Sequence, residues 1–397
     1  MKAILFILLI FLYNIVIAQK KLPILKSNGK TIKIREGKYE IHEQHPVAIA
    51  KPDIYVPKPF LKTQKITYIS DIDSITFDVK INKKYDFLII QNNKDTIITQ
   101  INTYSNQVIS YPDYKYTKET TNKQDTIPFL IGDDSRIYLK GKINNSDTLS
   151  ILFDTGASAI VISSPVINKK VKVNLDGSVL NGGSDGMERV PTSSKNTLNI
   201  NGLIWPNIPL LAIDFGESPF DAVLGWVAFQ NKIVKINYET KKMIIYDSLP
   251  NISANYTKID FKLIDGIPFI KCKMIVNGIE YEEWFDFDTG SDGSLSISNE
   301  YSRKNQIQSK LTKIGQATSR GSTGINVKSD VLLLRRLKIA DFELYNIKLS
   351  IPQIDPETPY KLGNIGNLIL KRFTTIIDFK NNCMYLSPNF LLYSPMY

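Results

Sequence analysis

The residues best suited to chemistry in this chain are Asp154-Thr155-Gly156 and Asp288-Thr289-Gly290. One Asp-Thr-Gly is a common turn tripeptide. Two copies 134 residues apart, each closing an apolar run, form a pattern. Each is followed by a hydrophobic element ending in glycine: Val223-Leu224-Gly225 lies 71 residues after the first aspartate, and Ile365-Gly366 lies 78 after the second. Two carboxylates about 3 Å apart cannot both ionise cheaply, so they share one proton. One then serves as base toward a water and the other as acid toward a carbonyl oxygen. That suffices to hydrolyse an amide without a metal or a covalent intermediate.

The elements that must position these residues are themselves duplicated. Ile127-Pro128-Phe129 recurs as Ile267-Pro268-Phe269, and Leu198, Ile200, Asn207, Ile208 and Leu210 recur as Leu337, Ile339, Asn346, Ile347 and Leu349. Gly225, Ile236 and Met243 match Gly366, Ile377 and Met384. The offset is 140 at the first match, 134 at Asp-Thr-Gly, and then 139 and 141, as expected of two homologous halves that differ by loop insertions. A period this long excludes a stacked solenoid. The halves span about 126 to 248 and 256 to 390, which sets two lobes at 126–250 and 251–397. In each, strands lead into Asp-Thr-Gly and a short helix is expected, at Pro165 to Lys170 or Asn299 to Lys304. A glycine-containing turn follows, at Asn181 to Met187 or Arg320 to Ile325, and a strand hairpin closes the half. Long 3.6-residue periods are scarce, so the class is mainly β.

Upstream, alternation in Ile75 to Val79, Tyr85 to Ile90 and Thr96 to Ile101 predicts a small β domain over 19–106, with a turn at Asn92 to Asp95. A polar linker follows at 107–125. Residues 1–18 read as a signal peptide: Lys2, an apolar run from Ala3 to Tyr13, and Val16-Ile17-Ala18 before the cut. This run is too short for a membrane anchor, and an extracytoplasmic location, periplasmic or secreted, is expected. The chain carries 49 Lys and Arg against 39 acids, a formal +10, with no arginine-rich stripe interleaved with aromatics. That reads as a solvated basic surface, not a nucleic-acid footprint. Only two histidines occur, His42 and His45, leaving none near the motifs for a Ser/His or Cys/His couple and no third ligand for zinc. Export permits a bridge between Cys272 and Cys383, but two cysteines make no framework, and their pairing stays open.

From about 126 to 390 the sequence resembles the pepsin and retropepsin superfamily of aspartic peptidases. The resemblance rests on Phe153-Asp154-Thr155-Gly156-Ala157-Ser158, Asp221 to Trp226, and Asn364 to Phe373. It looks like an exported bacterial-type enzyme with two retropepsin-like repeats in one chain. The resemblance implies a bilobal acid-protease fold, a closed β-barrel formed by two homologous halves. Asp154 and Asp288 would be the catalytic pair, met in cis by a monomer, with a polypeptide as substrate and no metal or cofactor. Thr155 and Thr289 would interlock the two loops, Gly156 and Gly290 would admit the backbone close to the carboxylates, and Ser158 and Ser291 would support the loops. Gly225 and Gly366 would lie where the chain passes behind them. Gly182, Gly183 and Gly186, with Gly321 and Gly324, would mark flaps over the substrate.

Three departures stand out. Ala157 corresponds to Ser291, whose hydroxyl could bond the outer carboxylate oxygen in one half only, so a weakly acidic pH optimum is expected. Ser158 corresponds to Asp292, an extra acid near the pair. Asn364 replaces the first apolar residue of the second glycine element. Two rival readings are weaker. Asp286-Phe287-Asp288 hints at an aspartyl phosphatase but lacks a following parallel α/β pattern, and Asp288 to Asn299 mimics a calcium loop without its closing glutamate. The alternative within the fold is a catalytically silent module that binds peptides or proteins.

Overall fold

The computed structural model describes residues 22–29, 31–36, 39–44, 46, 52–55, 57, 63–80, 83–103, 114–118, 124–264, 266–356 and 363–395. The signal peptide expected at 1–18, His45, and much of the linker expected at 107–125 lie outside these residues. The chain divides into two compact units, 1–110 and 111–397.

The first unit holds two four-stranded sheets. One orders Ile24–Ser27, Lys84–Gln91, Asp95–Asn102 and Asp53–Tyr55; the other orders Tyr39–Gln44, Ile32–Glu36, Thr63–Ile69 and Ser74–Lys80. Alternate residues, among them Leu25, Ile34, Ile66, Val79, Phe87 and Ile97, meet in one core. Asn92 and Asn93 both take positive φ, 52° and 54°, in the three-residue connection Asn92 to Lys94, where the Lys94 N–H donates to the Gln91 carbonyl at 3.0 Å.

The second unit is mainly strand. Its first large sheet runs Leu130–Ile131, Ile137–Ile143, Leu149–Asp154, Ala222–Gly225, Ile160–Ser163, Leu203–Ile213, Gly186–Ile200 and Gly177–Gly183. The second runs Lys262–Ile264, Ile267–Val276, Ile279–Phe287, Gly363–Ile365, Leu295–Ser296, Phe342–Pro352, Asn326–Ile339 and Thr312–Arg320. The two orders are the same, so Ile267-Pro268-Phe269 opens the counterpart of Ile137–Ile143 and is not the equivalent of Ile127-Pro128-Phe129 as the sequence suggested. The Phe129 N–H donates to the Lys241 carbonyl as the Phe261 N–H does to the Asn382 carbonyl, which makes Gln124–Pro128 the counterpart of Thr257–Asp260. Each sheet curls into a ring, closed where Ile143 pairs with Leu198 and Met274 with Leu337. The result is a mainly β, bilobal architecture.

A six-stranded sheet carries strands from both lobes. Its centre is the antiparallel pairing of Ile233–Asn237 with Phe373–Asp378, flanked by Lys242–Tyr246 and Gln124–Pro128 on one side and by Cys383–Pro388 and Thr257–Asp260 on the other. One continuous core runs through both lobes, from Phe153, Leu224 and Phe229 to Phe287, Ile365 and Phe373. Cys272 and Cys383 are buried and unbridged.

The short helices expected at equivalent places differ. Asn299–Asn305 is α-helical, with the Ser298 side chain accepting from the Tyr301 N–H and Gln306 in the left-handed conformation at its end. The counterpart is only a single 3₁₀ turn, Ser164–Val166. There Pro165 starts the turn, Val166 and Ile167 are β-branched, and Asn168 at φ 63° reverses the chain so that Ile167 bridges Val171.

Candidate active site

Asp154 ends the strand Leu149–Asp154 and lies opposite Gly225 in the parallel pairing with Ala222–Gly225. Asp288 follows the strand Ile279–Phe287, and its N–H donates to the Ile365 carbonyl at 3.0 Å. The turns after the two aspartates meet at the lobe boundary. Thr155 and Thr289, both fully buried, interlock there. The Thr155 hydroxyl donates to the Phe287 carbonyl and accepts the Thr289 N–H at 2.9 Å. The Thr289 hydroxyl donates to the Phe153 carbonyl at 3.0 Å and accepts the Thr155 N–H at 3.0 Å. Four buried groups are thus satisfied reciprocally, which fixes the turns against each other.

The glycines set how closely the carboxyls approach. A Cβ on Gly156 would sit 2.8 Å from the Asp288 Cγ, and one on Gly290 would collide with the Asp154 carboxyl. Each glycine therefore faces the other lobe's aspartate, and only hydrogen fits between. Gly225 and Gly366 play a second role. A Cβ on the first would meet the Ala157 carbonyl at 2.5 Å, and on the second the Gly293 carbonyl at 2.5 Å. Both lie where a strand threads behind an aspartate turn.

The two carboxyls differ in their donors. Asp154 Oδ1 accepts the Gly156 N–H at 2.8 Å. Asp288 Oδ1 accepts from Gly290 N at 2.7 Å and Ser291 N at 3.1 Å, and its Oδ2 accepts from Asn364 Nδ2 at 2.7 Å. Burial, and next the neighbouring Asp288 charge, push Asp154 well above the usual carboxylate range. Burial raises Asp288 too, against the pull of Asp154, Asn364 and the two N–H groups. A closely spaced pair that resists double ionisation holds one proton between its members.

The outer oxygen of Asp288 is thus served by Asn364, not by Ser291 as the sequence suggested. The Ser291 hydroxyl instead accepts the Gly293 N–H at 3.2 Å, a bond within its own turn. Ser158 is half-buried in the equivalent turn, and among the described residues no hydrogen bond joins it to either aspartate. Asp292 is exposed, and its charge acts on Arg136. Arg136 is gripped by Asp134 at 2.7 Å and reaches the Gly290 carbonyl at 3.5 Å.

Asp286 was not singled out for the site by its sequence. It pairs with Asn364 across the parallel strands and, two residues before Asp288, lies on the same strand face. Burial first, then the Asp288 and Asp154 charges, hold it well above the usual carboxylate range, against a hydrogen bond from Asn364. Asn367 was missed as well. Its amide donates to the Thr289 carbonyl at 2.5 Å and accepts the Tyr238 hydroxyl at 2.7 Å, tying the second turn to the central sheet.

Two long hairpins carry the other expected glycines. Gly182 pairs with Met187 and Gly183 with Gly186 at the tip of Gly177–Gly183 and Gly186–Ile200. Gly321 and Gly324 lie in the turn between Thr312–Arg320 and Asn326–Ile339. The tips touch. Asp185, 2% exposed, accepts three backbone N–H groups from the second tip: Gly321 at 2.9 Å, Thr323 at 3.0 Å and Ile325 at 2.9 Å. Asn181 Nδ2 adds a bond to the Ser322 hydroxyl at 2.9 Å.

Residues 139–227 match a family model described as an aspartyl protease. The match lies within the first lobe and supports the likeness to the aspartic peptidase superfamily. No curated protein matches the chain at a significant level.

Proposed function

We propose that residues 111–397 form an aspartic endopeptidase whose catalytic pair is Asp154 and Asp288. The observation that carries this reading is the approach of two half-buried carboxyls, each facing the other lobe's glycine, across interlocked threonines. Asp288, with three donors, is the better seat for the negative charge; Asp154, with one, keeps the proton. A water between them gives its proton to Asp288 as its oxygen attacks the peptide carbonyl carbon. Asp154 gives its proton to the carbonyl oxygen, leaving a neutral tetrahedral diol. Asp288 then returns a proton to the leaving nitrogen, the C–N bond breaks, and Asp154 recovers its proton from the diol. The two hairpins act as flaps that cover an extended peptide, exclude water and must part to admit it. The apolar leader at residues 1–18 supports export, with polypeptides outside the cytoplasm as substrates.

The test is cleavage of a mixed peptide library, followed by mass spectrometry from about pH 3 to 8 for wild type and Asp154→Asn. Loss of cleavage in the variant, and with a statine-type inhibitor, is expected. No cleavage by wild type at any pH, or equal cleavage by the variant, would transfer the reading to a silent peptide-binding module.

A further inference from the structure

The two lobes differ along one row of residues beside the aspartates. In the first lobe, cross-strand pairing lines up Tyr138, Leu152, Val223, Val161 and Leu211. In the second lobe the same positions are Phe269, Asp286, Asn364, Ser296 and Ser350. Residues paired across a sheet share a face. Leu152 and Asp286 each precede their aspartate by two, so both rows lie on the aspartates' face.

The first row is dry. Leu152, Val161 and Val223 pack with Val190, Ile213 and Phe220 in an apolar cluster separate from the main core. The second row is half-open: Asp286, Asn364, Ser296 and Ser350 are all partly exposed. Asp286 Oδ1 is itself buried and has no hydrogen-bond partner. An unpaired carboxyl oxygen in such a place is costly unless a donor arrives. The charges acting on Asp286 are Asp288 and Asp154, with Asn364 as its polar neighbour; the cation Arg136 acts on Asp154 and Asp292 instead.

We infer that the row Asp286–Asn364–Ser296 forms a subsite for a basic side chain, so that the scissile bond joins an apolar residue on the first lobe's side to lysine or arginine on the second's. This rests on the peptidase reading. The ammonium or guanidinium group donates to Asp286 and converts it to the carboxylate, the cation offsetting the repulsion from the neighbouring pair. Leu152 and Val223 offer no acceptor, so the opposite subsite selects an apolar side chain.

The experiment uses full-length protein and hydroxyethylene peptides, which mimic the tetrahedral state and are not cut. Four probes place phenylalanine on one side of the isostere and lysine or norleucine on the other, in both orientations. Norleucine keeps the lysine stem and lacks the charge. In one orientation the lysine probe is expected to bind about tenfold to a hundredfold tighter than its norleucine partner. Asp286→Leu, which restores the residue type of the first lobe, should erase or reverse that ratio. Asp286→Asn, close in shape, should reduce it and guards against misfolding of the first variant. Equal binding of lysine and norleucine in both orientations, or a ratio unchanged in the variants, overturns the inference. Cleavage lost in Asp154→Asn together with such a result would sink the subsite alone and leave the peptidase standing. Binding of none of the probes would sink both.

Discussion

Asn364 connects two carboxyls that no local motif joins. Its Nδ2 bond to Asp288 Oδ2 is charge-assisted when Asp288 is ionised. Such bonds contribute about 1.5–3 kcal/mol, and one pKa unit corresponds to about 1.4 kcal/mol. Asn364→Val, which copies Val223 of the other lobe, should therefore move the acid limb of the kcat/KM profile upward by roughly one pH unit. A limb that stays in place would show that Asn364 has no hold on the pair's charge. Stability should carry the same signature with a definite sign. Asp154, Asp286 and Asp288 are all raised in the folded protein, chiefly by burial. Their contribution is fully present below the ordinary carboxylate range and is lost as pH rises through the raised values. Asp154→Asn removes one ionisable group, so it should raise Tm at neutral pH by roughly 2–4 °C and leave it nearly unchanged near pH 3. Calorimetry at the two pH values decides it; an equal shift at both would point to packing. The threonine and glycine roles were legible because a tight turn fixes them within three residues of each aspartate. Asn364 and Asp286 were not, since their roles depend on a parallel register joining positions 78 residues apart.

Two hairpins from different lobes meet tip to tip through one acidic side chain. Asp185 takes three N–H groups from the turn Arg320 to Ile325, and each would otherwise need water or another acceptor. Asp185→Ala should free them together. Amide exchange at Gly321, Thr323 and Ile325 should speed up at least about tenfold, while the central sheet at Val234 and Ile377 keeps its protection. Exchange unchanged at the tip would mean that Asn181 and Ser322 hold the hairpins by themselves. The glycines marked both turns in the sequence, because strands of this length need a reversal at their ends. Their meeting was not marked. Asp185 and Gly321 belong to different lobes, 136 residues apart, and nothing in an isolated turn says what its tip will touch.

A single chain carries both aspartates, and the central sheet joins the two lobes that hold them. Strands from the two lobes pair directly, Val234 with Ile377 and Ile236 with Thr375, above a core shared by both lobes. Side chains cross between the lobes too: Trp226 donates to the Gly266 carbonyl at 2.8 Å, and Lys371 to the Ser135 hydroxyl at 2.9 Å. The repeated elements made the two lobes readable in the sequence, and two halves with one aspartate each lead to the expectation of a pair completed in cis. Association of separate halves would make the pair depend on protein concentration, since dissociated protomers lack it. Here cleavage per molecule should stay constant when the protein is diluted from about 1 µM to about 1 nM. The first unit has its own core, so residues 111–397 produced alone should unfold cooperatively and still bind a statine-type inhibitor. Activity that falls steeply on dilution would place the working aspartates in two chains. Loss of inhibitor binding from a folded 111–397 would make the first unit part of what shapes the site.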